Sequence, residues 1–281
     1  MSTVGRKKST TIIISIILIA LTIVFLAPIF VVLYNSFKLK FFINDRPFAL
    51  PFKTEMYAGW MNYDTGINKI HFFKAFGYSL FITVFSVIAI SVVTSMLAWY
   101  LTRVKSKFTS ITFSLLMFSM IVPFQMVMFT MSKTANILHL DNPIGIIILY
   151  VGFGCGLATF LFSGFIKSVP IALEEAAMID GATPVSTFFQ IVLPMLKPTA
   201  ITVAILNTMW VWNDYLLPYL TIGNDYKTIP VAIQYLRGGY GSVDMGAMMA
   251  MLVLAMIPVI IFYLICQKFI ISGVVAGAVK G

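Results

Sequence analysis

Long apolar runs alternate with short polar segments along the chain, and this pattern predicts its fold class. A helix needs about 20 apolar residues to cross the hydrocarbon core of a membrane. The runs are continuously apolar and do not alternate residue by residue, which is typical of membrane helices and not of membrane strands. We therefore expect an all-α polytopic membrane protein with six transmembrane helices, at residues 12–34, 78–101, 108–131, 144–165, 200–220 and 245–271.

Composition and charge agree with this class. Of the 281 residues, 60% are hydrophobic and 10% are charged, whereas a soluble domain usually carries about 25% charged residues. The net charge of +9 is explained more simply by basic residues beside membrane spans than by nucleic-acid binding. The first apolar run is longer than a signal-peptide core and lacks a small-residue cleavage site, so we expect it to be retained.

The basic residues also indicate an orientation. They divide almost evenly between the two sides, but the dense clusters at 6–8 and 103–107 fall on the same side. The positive-inside rule gives most weight to short segments next to the spans. We therefore place residues 1–11, the loop at 167–198 and the tail at 272–281 in the cytoplasm.

The loop at about 35–77 would then lie outside, where its prolines and aromatic residues favour a packed cap over a disordered linker. The apolar runs contain Pro28, Pro123, Pro218 and Pro258. These prolines could curve the helices around a cavity, or they could be ordinary membrane-helix prolines.

Little in the sequence supports catalysis or metal binding. Cys155 and Cys266 lie in apolar runs and are best explained as buried free thiols. His71 and His139 do not show metal-ligand spacing. We cannot assemble a Ser/His/Asp or Cys/His constellation, and the sequence has no Gly-x4-Gly-Lys-Ser/Thr phosphate loop. We expect no catalytic residue, no metal and no cofactor in this chain.

The segment 167–198 predicts a helix-turn-helix between two spans. Pro170 suits the first turn of a helix, and Gly181 can adopt the left-handed conformation that ends one. Thr183 is a candidate N-cap, followed by Pro184 at the first position of a second helix. A helix-turn-helix at the membrane surface is the expected result.

Small and acidic residues on the first of these helices indicate a docking surface. Ala176 and Ala177 would let a partner approach closely, while Glu174, Glu175 and Asp180 offer carboxylates for pairing with it. The alternative is an amphipathic helix lying in the lipid headgroups. Such helices usually carry Lys and Arg on their polar face, so the acidic residues favour a protein partner.

The spacing of this segment resembles the EAA loop of the membrane subunits of ATP-binding-cassette (ABC) importers. Glu-Ala-Ala at 175–177 is followed after three residues by Gly181, and after nine more by Ile191-x-Leu193-Pro194. The resemblance extends to the carbohydrate importer permeases of the maltose-type membrane subunit family, through NSFK at 35–38, MIVPFQ at 120–125, WND at 212–214 and GAVKG at 277–281. The loop at 35–77 departs from that family by its length and aromatic content.

The resemblance implies a type I ABC importer permease fold and a heteromeric importer. A second homologous permease subunit would complete the pathway, two ATPase subunits would bind ATP and magnesium, and an extracellular or periplasmic solute-binding protein would deliver sugar, with oligosaccharides as the expected cargo. This chain would be the non-ATPase membrane subunit in a bacterial plasma membrane, with both termini cytoplasmic, and would work by alternating access. The ATPase-docking residues implied are Glu174, Glu175, Ala176, Ala177, Asp180, Gly181, Ile191, Leu193 and Pro194, with Lys280 in the tail as a further contact.

Four residues are candidates for the substrate pathway: Gln125, Trp210, Asn213 and Asp214. Polar groups within membrane spans are costly and often functional, and sugar sites commonly combine aromatic rings with hydrogen-bonding side chains. The alternative places Asn213 and Asp214 at an interfacial helix end, and makes Gln125 a hydrogen-bonding contact between helices.

An ion-coupled secondary sugar carrier is the alternative function. Such a carrier should have ionisable residues inside its spans. Apart from Asp214 near the end of one span, the apolar runs contain no acidic residue that could serve. The sequence therefore favours a transporter driven from outside the chain.

Overall fold

The structure, a computed structural model, describes residues 8–223, 225–236 and 243–278. Regular secondary structure in these ranges is helical, which confirms the all-α prediction. The helices are α1 (Lys8–Asn35), α2 (Lys40–Asp45), α3 (Met61–Lys69), α4 (Phe72–Arg103), α5 (Lys107–Ser119), α6 (Phe124–Ile137), α7 (Gly145–Ile166), α8 (Ile171–Ile179), α9 (Pro184–Thr187), α10 (Leu193–Met195), α11 (Lys197–Asn213), α12 (Leu216–Thr221), α13 (Ile229–Ile233) and α14 (Met245–Ala278). A short 3-10 helix covers Thr54–Met56, and a π-helical turn covers Phe188–Val192.

The candidate membrane spans follow the apolar runs, with two differences. Among the described residues, α1, α4, α7 and α14 are each long and apolar enough to cross a membrane. Two bent helix pairs, α5 with α6 and residues 184–195 with α11, raise the number to six if each pair counts as one span. The first member of the second pair belongs to the segment 167–198, and the predicted fifth span is divided between α11 and α12. The prediction of six transmembrane helices therefore agrees with the described residues when each bent pair is counted as one span.

Each break has a physical cause. The third run changes direction by 108° between α5 and α6, where Pro123 lacks an amide hydrogen and disfavours a helical backbone at the residue before it. The fifth run begins in α11, which stands at 78° to the segment before it. It stops at Asn213, because Asp214 adopts an extended backbone, and the remaining apolar residues form the separate helix α12. Pro28 and Pro258, by contrast, lie inside continuous helices.

The chain divides into two compact units, and residues 1–72 with 233–258 form one of them. In this unit the residues of the loop 35–77 up to position 72 are folded, as predicted. Asn62 of α3 donates hydrogen bonds to the carbonyl oxygens of Ser36 and Lys38, both at 2.8 Å. The Ser36 hydroxyl contacts the Tyr63 hydroxyl at 2.8 Å. These bonds fix α3 to the segment that follows α1.

Lys38 is the buried centre of this cap. Its side chain is fully buried, and its Nζ donates to the Arg46 carbonyl at 2.7 Å. The ammonium also lies 5.2 Å from the ring centroid of Tyr34. Burial lowers the pKa of Lys38 below its ordinary value, because an apolar environment disfavours the charged form.

Residues 73–232 and 259–281 form the second unit, which contains the segments of interest for function. Its core is centred on α7, whose Tyr150, Phe162 and Ile166 are fully buried. Helices α5 and α11 both pack against α7, and α12 packs against α6. At Gly154 an added Cβ would lie 2.9 Å from Ile90 and 3.2 Å from Asn207, so α4 and α11 approach α7 closely at that point.

Candidate functional site

The segment 167–198 forms the predicted helix-turn-helix. Helix α8 starts after Pro170, which has an extended backbone as its N-cap. Gly181 has φ of +87°, the left-handed conformation that ends a helix. The Thr183 hydroxyl then accepts a hydrogen bond from the Ser186 amide at 3.2 Å, with Pro184 at the next position. The local sequence therefore determines both helix ends.

The second helix of the segment is not uniformly α-helical. Between α9 and α10 the backbone widens into the π-helical turn Phe188–Val192. Phe188 and Val192 point inward and are buried. Wide turns of this kind are rare and occur frequently at functional sites. No sequence signal predicted this one.

The outward side of the helix-turn-helix presents a mixed apolar and acidic surface. Ile179 is 86% exposed and Val185 is 61% exposed. Glu175, Ala176 and Asp180 are exposed beside them. We call these five residues the docking face. Of the other residues implied by the resemblance, Gly181 and Pro194 are exposed, while Ala177, Ile191 and Leu193 are half-buried. The apolar character of Ile179 and Val185 did not predict that both side chains would be exposed.

Glu174 does not belong to the docking face, and its expected role as a carboxylate for the partner is corrected. Its side chain is buried and lies against the end of α4. Arg103 Nη2 donates to Oε1 at 2.7 Å, and Arg103 Nε lies 3.0 Å from Oε1 and 3.2 Å from Oε2. Trp99 Nε1 donates to Oε2 at 2.9 Å. The carboxylate is therefore satisfied entirely within the chain.

A cavity of about 450 Å³ brings together three of the four substrate-pathway candidates. Gln125 of α6, Trp210 of α11 and Asp214 line it, together with Asn207. Its remaining walls are mostly apolar side chains from α5, α6, α7, α11 and α12. A largely apolar cavity with a few convergent polar groups is typical of a small-molecule site.

Tyr150 orients the acidic group of this cavity. Its hydroxyl donates to Asp214 Oδ2 at 3.0 Å, and the Leu216 amide donates to Asp214 Oδ1 at 3.0 Å. The rings of Tyr150 and Trp210 meet edge to face at 5.3 Å. Asn213 is not among the lining residues, and its amide donates to the Met209 carbonyl of its own helix at 2.7 Å.

Sequence reasoning missed Asn207 and Tyr150. Both lie in the middle of apolar runs, where a single polar residue does not show which side of the helix faces a cavity. Within the described ranges no three His, Cys, Asp or Glu side chains come together as a metal site. Cys155 and Cys266 are free thiols, as expected, but both are half-buried and not fully buried. Lys280 lies outside the described residues.

Comparison with known proteins identifies the family. Residues 91–275 match the family described as "Binding-protein-dependent transport system inner membrane component". The chain belongs to this family. Its members are the membrane permease components of ABC importers, with the ATPase on separate subunits, and they act with a solute-binding protein. The ion-coupled carrier finds no support in this assignment.

Full-length relatives agree with the assignment. The chain is 38% identical to a probable starch degradation products transport system permease protein of Thermoanaerobacterium thermosulfurigenes, over 93% of this chain and 94% of the relative. It is 36% identical to a multiple sugar-binding transport system permease protein of Streptococcus mutans, over 92% and 93%. It is 30% identical to a melibiose/raffinose/stachyose import permease protein of Bacillus subtilis, over 90% and 91%.

A solved structure confirms the permease fold. The chain superimposes with a TM-score of 0.75 on a chain from the crystal structure of a bacterial ABC transporter involved in the import of the acidic polysaccharide alginate. The match covers 95% of this chain and 99% of that one, at 21% sequence identity. This permease of a binding-protein-dependent transport system is therefore a multi-pass membrane protein with an importer fold.

Proposed function

We propose that this permease is one membrane subunit of an importer that moves sugars, with oligosaccharides as the expected cargo, across a bacterial plasma membrane. The three relatives are described as transporters of starch degradation products, of multiple sugars, and of melibiose, raffinose and stachyose. That shared substrate class, in relatives aligned over 90% or more of this chain, is the observation that carries the proposal.

The complete importer would contain four kinds of component. A second homologous permease subunit completes the pathway, two ATPase subunits hold ATP and magnesium, and an extracellular or periplasmic solute-binding protein delivers the sugar. Both termini and the helix-turn-helix lie in the cytoplasm. The support for this orientation is the pair of basic clusters at 6–8 and 103–107.

The docking face receives the ATPase. Ile179 offers an exposed apolar side chain at the end of α8, and Ala176 leaves room for a close approach. Glu175 and Asp180 provide carboxylates that can pair with cationic side chains of the partner. ATP-driven closure of the ATPase pair pushes this face, and the membrane helices respond by rotating as rigid bodies. Lys280 remains a predicted further contact.

The cavity in the second unit forms part of the sugar pathway. Sugars present apolar ring faces and many hydroxyl groups. Trp210 offers an aromatic surface for the former, while Gln125, Asn207 and Asp214 offer hydrogen-bonding groups for the latter. Tyr150 holds Asp214 in place, so the acceptor is oriented before the sugar arrives.

Uptake by the reconstituted importer tests the assignment. We expect proteoliposomes that contain the chain and its co-purified partners to accumulate labelled oligosaccharide only when ATP and the binding protein are supplied. Glu175→Lys should abolish uptake while membrane insertion persists, because it reverses a charge on the docking face. The matched charge reversal Glu55→Lys, at an exposed residue of the outer loop, should leave the ATPase attached. Uptake by the chain alone, abolished by a protonophore, would overturn the proposal.

A second experiment tests the cavity. Gln125→Leu removes an amide from its wall with little change in volume, and we expect the sugar concentration for half-maximal uptake to rise about tenfold, as for the loss of one hydrogen bond. Asn136→Leu is the matched control, because it removes an exposed amide from the same helix outside the cavity. Equal uptake curves for both variants would exclude Gln125 from the pathway.

A further inference from the structure

The carboxylate of Glu174 links α8 to the end of α4, which lies 71 to 75 residues earlier in the chain. Arg103 and Trp99, at the end of α4, both donate to it. Arg103 Nη2 also donates to the carbonyl of Val169 at 2.9 Å, just before α8 begins. Trp99 packs against Phe188 of the π-helical turn, with ring centroids 5.6 Å apart. The end of α4 therefore contacts both helices of the segment 167–198, which we call the docking segment.

We propose that Arg103 and Glu174, together with Trp99, form a clamp that makes α8 and α4 move as one body. The clamp would pass displacement of the docking face into the second span. Arg103 and Glu174 are positioning residues in this account, since neither touches the sugar or the nucleotide. The inference rests on the proposed function, because it needs an ATPase that displaces α8.

The geometry of the ion pair is better suited to transmitting movement from α8 to α4 than to simply holding the two helices together. An apolar contact between two helices can slide, whereas a guanidinium that contacts both oxygens of a carboxylate fixes distance and direction together. The pair is largely excluded from solvent, with 18% of the Arg103 side chain and 3% of the Glu174 side chain exposed. A buried ion pair is in itself weak evidence for stability, because apolar side chains would hold the helices together as well. A role in fixing orientation accounts for its presence.

The position of Glu174 within α8 supports the same conclusion. Successive residues of a helix point about 100° apart, so buried Glu174 and exposed Glu175 lie on different sides of the same turn. A force applied by the partner at Glu175 has to cross only one helical turn to reach the clamp. The docking segment then acts as a rigid lever attached to α4.

Transport per ATP hydrolysed measures the clamp directly. In reconstituted importers we expect Arg103→Gln and Glu174→Gln to keep ATP hydrolysis but to transport about two- to thirtyfold less sugar per ATP, the range that typical coupling free energies give. Lys105→Gln is the matched control, since it neutralises an exposed cation two residues beyond the clamp. A variant that only assembles poorly lowers both rates and leaves their ratio unchanged.

Two further arms separate the possible failures. The charge-exchanged double variant Arg103→Glu/Glu174→Arg should recover part of the ratio that either single variant loses. Spin labels on Tyr100→Cys and Met178→Cys, both exposed positions, are placed in a chain whose native thiols carry the changes Cys155→Ser and Cys266→Ser. They should report the same α4–α8 distance with and without ATP, and a variable distance when Glu174→Gln is added.

Either of two results would overturn the clamp: an unchanged ratio in Glu174→Gln, or an α4–α8 distance that changes during the cycle of the unmodified importer. The distance measurement decides the matter if the Arg103 and Glu174 variants fail to assemble. Failure of the proposed function has a different signature. In that case the unmodified chain would bind no ATPase and show no ATP-dependent uptake.

Discussion

Removing the guanidinium of Arg103 should destabilise the folded permease by a predictable amount. Arg103→Met leaves a carboxylate whose side chain is only 3% exposed and whose one remaining donor is the Trp99 indole at 2.9 Å. At 4 Å and an effective dielectric constant near 20, the lost attraction is about 4 kcal/mol. Breaking one side of a buried pair typically costs about 3–5 kcal/mol. We therefore expect the free energy of unfolding to fall by about 3–5 kcal/mol.

The complementary variants turn this estimate into a thermodynamic cycle. Glu174→Met should cost less, because Arg103 is partly exposed and keeps its bond to the Val169 carbonyl. The double variant should lie near the unmodified protein, since two methionines fill the space without leaving a buried charge. The summed losses in the free energy of unfolding of the two single variants should therefore exceed the loss of the double variant by about 2 kcal/mol or more.

Reversible unfolding in mixed detergent micelles, followed by loss of helical circular dichroism, measures these differences. Lys105→Met, an exposed change two residues away, should stay within about 0.5 kcal/mol of the unmodified protein. A cost below about 1 kcal/mol for Arg103→Met, the value of an ordinary exposed pair, would show that the ion pair does not behave as a buried one. Simple addition of the two single-variant costs would show the same.

Three further predictions concern other parts of the chain. Gly246→Ala should lower the thermal unfolding temperature in detergent, with a cost of about 1–3 kcal/mol. Its Cβ would collide with the side chain of Asn62 and disturb the two hydrogen bonds that Asn62 donates to the segment after α1. Gly181→Ala should weaken ATPase binding in a pull-down titration, because φ of +87° costs an alanine about 1–2 kcal/mol; unchanged binding would argue against the turn geometry. For Lys38, burial lowers the pKa in the folded state. Between that pKa and the ordinary lysine pKa, the unfolded chain therefore binds more protons than the folded one. The free energy of unfolding should rise with pH across this window. Lys38→Met should remove that rise, as stability measured at a series of alkaline pH values would show.

The positions of the membrane spans were predictable, and the bends were not. Span position depends on the local sum of apolar residues, which the sequence displays directly. The 108° change of direction between α5 and α6 occurs inside an apolar run, and Pro123 is its only local signal. Pro28 and Pro258 carry the same signal in helices that continue through them. Whether a proline ends or only interrupts a helix depends on neighbouring helices, which the sequence pattern does not specify.

In the docking segment, too, features set by neighbouring residues were predictable, and features set by residues far away in the chain were not. The helix ends at Gly181 and Thr183 follow from local backbone chemistry, and the structure confirms them. Pro170 is the N-cap of α8, one position before the first turn in which it was predicted. Glu174 and Glu175 are chemically identical neighbours, so both carboxylates were predicted to pair with the partner protein. Only the approach of Arg103, 71 residues away in the chain, distinguishes the buried carboxylate from the exposed one. In the sequence, the one indication of a charged partner for Glu174 was Arg103 itself, just after the second apolar run.

The π-helical turn at Phe188–Val192 has a consequence for how the docking face is aimed. Deleting a single residue there, Gln190 for example, would let the backbone relax into an ordinary α-helix. Because the wide turn takes up the extra residue, α9 would keep roughly its present direction, whereas the same deletion in a uniform α-helix would rotate it by about 100°. The turn therefore lets the chain hold one residue more between Thr187 and Leu193 without changing the direction of the docking face.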